Sequence, residues 1–428
     1  MNNRSGNSNH GYSVAAHLAV VLAATIGISA LLAAPALAQN ETILYSFAGT
    51  PDGWDPGYNL FQDAAGNLYG VTPYGGVYNG GTAYELSFQD GVWVETILHS
   101  FGGTGDGWRP YGGLVMDKAG NLYGTTSGTS GTVYELTPDG QGNWTETILK
   151  IFYDGGVNVP TGSLMLDAAG RLYGAAAVCG DSPCYGVVFR LTPPTKKGKP
   201  WKYFALYKFR GPKHKDGEIP NGNLVFDAAG DLYGTTWQGG TYNFGTVFEL
   251  SPTPRTWMER ILYSFQGHSD GLQPNAGLVF DAAGNLYGTT ATGGSYGGGT
   301  VYELWPSGES WTKTVLYSFT GLSDGGIPAA GVTLRNGSLF GTTEYGGGSP
   351  NCKYGCGVVF GLSPSGGVWT EQVLHAFTSV PDGATPYGGV IFDSVGNLYG
   401  DTSFGGMLNS NCDYVGEPGC GIVYEISP

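Results

Sequence analysis

The sequence predicts an all-β protein, a seven-bladed β-propeller with four strands in each blade, and three observations carry that prediction. One phrase recurs seven times: Gly-Asn-Leu-Tyr-Gly at 66–70, 120–124, 284–288 and 396–400, Gly-Arg-Leu-Tyr-Gly at 170–174, Gly-Asp-Leu-Tyr-Gly at 230–234 and Gly-Ser-Leu-Phe-Gly at 337–341. A period of roughly 50–60 residues that fills the chain marks a propeller or a solenoid. Each period also holds four short segments rich in β-branched and aromatic residues, bounded by Gly, Asp, Asn or Pro. The third observation is phase. The repeats begin with a lone fourth segment, Ile43-Leu44-Tyr45-Ser46-Phe47, and end with a third segment, Ile422-Val423-Tyr424-Glu425-Ile426. A ring closes when residues 43–47 pair in the last blade, which also covers strand edges that would otherwise be free. A solenoid would need polar caps at both ends, and the sequence offers none.

The elements follow in order along each repeat. The first strand is an apolar run, such as Gly277-Leu278-Val279-Phe280-Asp281. Its lack of alternation suits a strand covered on both faces. The small residues before it, Gly112-Gly113, Gly277, Gly331 and Gly388-Gly389, suit close backbone approach near an axis. The second strand is the Leu-Tyr-Gly-Thr-Thr segment, as at 286–290, and the third resembles Thr300-Val301-Tyr302-Glu303-Leu304. The fourth follows a Trp (Trp93, Trp144, Trp201, Trp257, Trp311 or Trp369) and resembles Val315-Leu316-Tyr317-Ser318-Phe319. No stretch beyond the N-terminal segment carries a helical period with caps. About 390 residues exceed what one core usually serves, a limit that seven thin cores between neighbouring sheets avoid.

Residues 1–38 read as a signal peptide, and residues 39–428 as a single propeller domain. Arg4 supplies a charged start, residues 14–34 are mostly apolar, and Ala36-Leu37-Ala38 fits a small-x-small cleavage site before Gln39. The apolar run is long for a signal peptide, so an uncleaved membrane anchor is the alternative, and only then is a membrane partner expected. Six cysteines form three local pairs, Cys179/Cys184, Cys352/Cys356 and Cys412/Cys420, all in the connection from second to third strand. An even count, an export signal and an equivalent position favour disulfides over zinc, for which each blade offers too few ligands. Loops this short give about 2–2.6 kcal/mol each on the chain-entropy estimate, so they pin loops more than they hold the fold.

A net charge of −15 argues against nucleic acid as a partner. Eight of the 19 basic residues lie between Lys196 and Lys215, read as a solvated edge of the third blade's outer hairpin, with an anionic-polymer contact as the alternative. An Asp-Gly pair recurs ahead of each first strand (Asp52, Asp106, Asp154, Asp216, Asp270, Asp324, Asp382), and an Asp-Ala-Ala-Gly-Asn-like turn follows most first strands. Both sets read as turn acceptors rather than calcium or sugar ligands. Asp401, which replaces a Thr of the second strand, and Glu344, which follows Thr342-Thr343, are placed near one face of adjacent blades; they read as solvated loop residues, with acid–base work on a glycoside by the carboxylate pair as the alternative. Gly293-Gly294-Ser295-Tyr296-Gly297 matches a nucleophile elbow but lacks the helix that gives the pattern its meaning. His99, His214, His268 and His375 show no ligand spacing; His99 and His375 stand where Leu-Tyr-Ser-Phe has its Tyr and read as sheet residues. No metal and no cofactor is expected.

The composite Gly-Leu-Val-Phe-Asp-Ala-Ala-Gly-Asn-Leu-Tyr-Gly-Thr-Thr at 277–290, followed by Gly-Gly and Thr-Val-Tyr-Glu-Leu, resembles the GloVer repeat family, the choice-of-anchor tandem-repeat proteins of bacterial cell surfaces. The resemblance covers residues 41–428. It implies an exported β-propeller and carries no catalytic motif.

The expected function is therefore that of an exported monomer, periplasmic, surface-bound or extracellular, that binds a glycan or a protein without catalysis. A polysaccharide-active hydrolase or lyase and a structural envelope component are the alternatives. The binding face is expected where the fourth-to-first and second-to-third connections meet. Its candidate residues are Trp54, Trp108, Trp237, Tyr242, Tyr296, Tyr345, Tyr354 and Tyr414, with Asp401 and Glu344. Flat side chains beside Gly and Asp suit stacking on sugar rings.

Overall fold

Seven four-stranded antiparallel sheets follow one another along the chain and close into a propeller. The fifth blade shows the plan. Val279–Phe280, Leu286–Thr290, Thr300–Ser307 and Ser310–Ser318 pair in that order from the axis outward. The structure is a computed structural model that describes residues 40–128, 131–152, 159–177, 185–196, 198–409, 412 and 418–427. The expectations for residues 1–38, Asp154, Cys179, Cys184, Lys197 and Tyr414 lie outside the described residues.

The last blade is closed as its phase requires. Ile391–Phe392, Leu398–Thr402 and Ile422–Ser427 come from the C-terminal end, and Asn40–Ser46 supplies the outer strand. Asn40 lies opposite Ser427 and Ser46 opposite Ile422. Whereas the inner strands Pro160–Leu166 and Gly217–Phe226 are long, regular pairing of the inner strand is shorter than the apolar run suggests in the other five blades, as with Val279–Phe280 inside 277–281. The residues just before it serve the axis instead: a Cβ on Gly331 would lie 2.7 Å from the Gly277 carbonyl oxygen of the neighbouring blade.

The signature's last glycine has a packing cause. Gly124 pairs with Tyr134 across the sheet, and a Cβ there would lie 2.3 Å from the Tyr134 hydroxyl. The far end of the third-strand ring occupies the space above the glycine, and the same happens at Gly70 with Tyr84 and Gly341 with Phe360. These rings, Tyr84, Tyr134, Phe189, Phe248, Tyr302, Phe360 and Tyr424, are fully buried. Each meets a phenylalanine from the end of the preceding blade's outer strand. The Phe101–Tyr134 centroids are 4.9 Å apart, and Phe377–Tyr424 5.2 Å. Seven thin apolar cores result, one at each junction between neighbouring blades.

Two disulfides, Cys352–Cys356 and Cys412–Cys420, tie second-to-third connections. All four sulfurs' residues are buried and belong to the cores beside the sixth and seventh blades. Among the described residues no helix is long and apolar enough to cross a membrane.

Candidate binding site at the axial channel

Six of the seven connections from an outer strand to the next inner strand read Asp-Gly-x-x-Pro, and their local geometry aims the chain at the axis. The residue before the proline takes a left-handed backbone in six blades: Asp55 (φ 66°), Arg109 (54°), Ile219 (57°), Gln273 (59°), Ile327 (56°) and Thr385 (57°). This conformation costs a non-glycine residue about 1–2 kcal/mol. Backbone bonds to two blades hold it. Ile327 N–H donates to the Gly298 carbonyl of the preceding blade at 2.8 Å, and its own carbonyl accepts from Glu344 N–H at 2.9 Å. The turn aspartates are consumed locally, as expected. Asp52 accepts from the N–H groups of Ala48 (2.8 Å) and Gly53 (2.7 Å) and from the Tyr45 hydroxyl (3.1 Å). On the opposite face Asp281 accepts from Ala283 N–H, Asn285 N–H and the Asn285 amide, which closes that turn in the same way.

Just past each proline, the chain lines a central channel of about 640 Å³ formed by all seven inner strands. Its mouth on the Asp-Gly face is polar. Asn221 donates to the Asn275 side-chain carbonyl, Asn275 donates to the Tyr387 hydroxyl at 3.5 Å, and Tyr387 is hydrogen-bonded to Tyr111. Tyr58 packs into the same group, its ring centroid 4.6 Å from Tyr111 and 6.3 Å from Tyr387. Burial, then the other tyrosines, push the phenols of Tyr58 and Tyr111 up, so both stay neutral. Farther along, Phe61, Met116, Leu166 and Ile391 make the channel apolar.

Beside the mouth lies the junction where the ring closes. In three blades the first threonine of the second strand donates to the next blade's axial backbone: Thr235 to Ala276 (2.9 Å), Thr289 to Ala330 (2.8 Å) and Thr342 to Gly388 (2.8 Å). Asp401 holds that place in the seventh blade, 1% exposed, against the Tyr58 peptide. Neither of its carboxyl oxygens has a hydrogen-bond partner of good geometry. Burial, then the charge of Asp55, drives its pKa well above the ordinary carboxylate range, so it is a neutral acid. Asp55 is pushed up to about 7 by burial, against a hydrogen bond from Ser403. Glu344 is also pushed up by burial, but its bond is to Tyr345. Asp401 therefore has Asp55 as its charged neighbour, not Glu344.

None of the remaining described sequence candidates lines the channel. Trp54 stacks on Tyr74 with centroids 4.3 Å apart, and the Arg109 guanidinium lies 5.0 Å from the Tyr74 ring. Trp108 is 43% exposed, whereas Trp237 is half-buried. Tyr242 and Tyr296 occupy equivalent, exposed positions in the fourth and fifth blades. Tyr354 is exposed and meets Tyr345 edge-on at 5.7 Å. The residues that converge were missed: Tyr58, Tyr111, Tyr387, Asn221, Asn275 and Asp55. A signal was present. Directly after the proline of the connection, Tyr111, Asn221, Asn275 and Tyr387 stand where the sixth blade has Ala329.

The sequence profile of the Gloeobacter/Verrucomicrobia repeat matches residues 33–175, 89–279 and 254–428. The chain belongs to this repeat family. No curated protein sequence matches it. Similar solved structures include a proposed 6-phosphogluconolactonase from Bacteroides fragilis, 13% identical over 79% of this chain and 95% of that one, with a TM-score of 0.49. A protein of unknown function from Dyadobacter fermentans is 14% identical over 90% and 99%, with a TM-score of 0.45. A proposed oxidoreductase (glucose dehydrogenase) from Thermus thermophilus is 13% identical over 91% and 100%, with a TM-score of 0.42. At these levels none of the three bears on activity.

Proposed function

We propose that this repeat protein is an exported, non-catalytic binding propeller whose axial mouth takes the terminal unit of a neutral glycan. The observation that carries this reading is the mouth itself. A cavity of about 640 Å³ lies within the size range of small-ligand sites. Its wall combines phenol faces with phenol and amide groups, all neutral. Such a wall suits a ligand with apolar ring faces and many hydroxyls. An anionic ligand would meet the chain's net charge of −15 and a partly ionised Asp55 beside the mouth at neutral pH. The exposed aromatics Trp108, Tyr242, Tyr296 and Tyr354 offer further faces for following sugar units. Two buried disulfides are compatible with an oxidising compartment.

The test is a glycan array screened with the purified chain, followed by calorimetry on the best binder. Tyr387→Ala in a folded protein should weaken binding about tenfold or more, a loss of about 1.4 kcal/mol. Trp108→Ala and Trp237→Ala should weaken it less. Full affinity in Tyr387→Ala, with loss in either Trp variant, would move the site to the loops; turnover of the glycan would make the protein an enzyme.

A further inference from the structure

The outer strands of neighbouring blades enclose a second recurring arrangement, away from the axis. Among the described residues, the Asp of six Asp-Gly turns sits between the Leu-Tyr-Ser-Phe position of its own blade's outer strand and the second position after the Trp, or its equivalent, in the next blade's. Tyr45, Asp52 and Glu95 form one such set, Tyr207, Asp216 and Glu259 another, and Tyr317, Asp324 and Glu371 a third. In each pair of outer strands a β-bulge inserts one residue, Leu98 in the first blade, and this turns the following side chain toward the turn.

Two junctions depart from the pattern in the same way. Between the first and second blades the set is His99, Asp106 and Glu146; between the sixth and seventh it is His375, Asp382 and Glu41. His99 Nε2 lies 3.0 Å from Asp106 Oδ2, and His375 Nε2 lies 3.3 Å from both Asp382 oxygens. In both sets one atom from each residue lies within 4.8 Å of the other two. The Oε1 atoms of Glu41 and Glu146 are buried and have no hydrogen-bond partner, as holds also for Glu95, Glu259 and Glu371 in the Tyr sets, and Glu146 shares a side-chain hydrogen bond with Asp106; what sets the two His junctions apart is the imidazole. A different junction shows what this turn Asp accepts. Between the fourth and fifth blades, Lys313 replaces the Glu, its side chain is 2% exposed, and its ammonium lies 3.0 Å from Asp270 Oδ1. There the chain itself places a cation beside the turn Asp.

We infer that His99–Asp106–Glu146 and His375–Asp382–Glu41 are two equivalent binding sites for a divalent transition-metal ion, with Zn²⁺ the best fit. One imidazole and two carboxylates are a borderline donor set that suits zinc better than the all-oxygen sites of calcium or magnesium. Zinc–ligand bonds of about 2.0–2.2 Å put tetrahedral ligand atoms roughly 3.4 Å apart, so each set contracts modestly around the ion and leaves a fourth position for water. Phenols in the Tyr sets do not complete such a donor set. The second site has a structural consequence. Glu41 comes from the closing strand and His375 from the sixth blade, so an ion there ties the N-terminal strand to its neighbour.

The experiment uses the purified, oxidised full chain, stripped with a chelator and titrated with Zn²⁺ by calorimetry near neutral pH, with thermal melts alongside. Two ions per chain are expected. His99→Tyr and His375→Tyr should each remove one ion and together both, while the melting temperature in chelator stays near that of the native chain. Tyr occupies the same position at Tyr45, Tyr207, Tyr263 and Tyr317, so these substitutions restore the repeat. Zn²⁺ should raise the melting temperature of the native chain and not that of the double variant. Glu41→Gln and Glu146→Gln provide a second pair that should lose the ions one at a time. The absence of saturable uptake by the native chain, or uptake that survives in the double His→Tyr variant, overturns the proposal.

Discussion

Asp55→Asn should make the propeller more stable at neutral pH and leave it unchanged in acid. Asp55 is buried at the closing junction with its pKa raised from 3.8 to about 7, burial being the main cause. The folded state thus holds this proton more tightly than the unfolded chain does. The stability tied to it is complete below about pH 4 and is lost as pH climbs through 7. Three pH units at about 1.4 kcal/mol each give a loss of about 4 kcal/mol. Asn is neutral at every pH, preserves a hydrogen-bonding oxygen for Ser403 and tolerates the left-handed backbone at φ 66°. For about 390 residues an unfolding entropy near 2.1 cal/mol/K per residue makes 4 kcal/mol worth about 5 °C. Melting curves of both proteins from pH 4 to 8 are the assay. The two should coincide at pH 4 and separate steadily, with Asp55→Asn higher by about 5 °C at pH 8. Parallel curves, with the same difference at every pH, would refute the buried-acid account.

Removing residues 40–46 takes the outer strand from the seventh blade and should lower the melting temperature of the whole domain; an unchanged melt would refute closure as a source of stability. Lys313→Met leaves Asp270 without its cation and should cost roughly 3 kcal/mol in chemical denaturation, whereas Lys313→Glu restores the arrangement of the Tyr junctions and should cost much less in mild acid. Tyr302→Phe removes a buried hydroxyl that has no partner, at a place where Phe189, Phe248 and Phe360 stand in other blades, and should be neutral or stabilise by about 1 kcal/mol in the same assay.

Much of the fold was legible because a propeller is written locally. Gly124 and Tyr134 lie ten positions apart and meet across one hairpin, so the glycine of the signature records its own packing partner. The closing strand was legible from phase alone, since one repeat lacks the segment that the N-terminal end carries in excess. The local turns behaved likewise: Asp52 and Asp281 bond within a few residues of themselves, and their spacing shows it. The site was less legible. Asp401 stood out as a departure from Thr, but its neighbours Asp55 and Tyr58 come from the opposite end of the chain. The aromatic candidates were conspicuous as residue types, yet Trp54 and Tyr74 spend their faces on each other.

By itself, then, the sequence determined the blade, the number of blades and the way the ring closes, because these depend on contacts between residues close in the chain and on the phase of a repeat. Only the tertiary structure decided what the blades enclose. Tyr58, Tyr111 and Tyr387 converge because inner strands from three blades meet at one axis. His375 reaches Glu41 because ring closure sets the first strand of the chain beside the sixth blade. Neither meeting has a spacing in the sequence, since each is fixed by the angle between neighbouring sheets, a property of the packed ring.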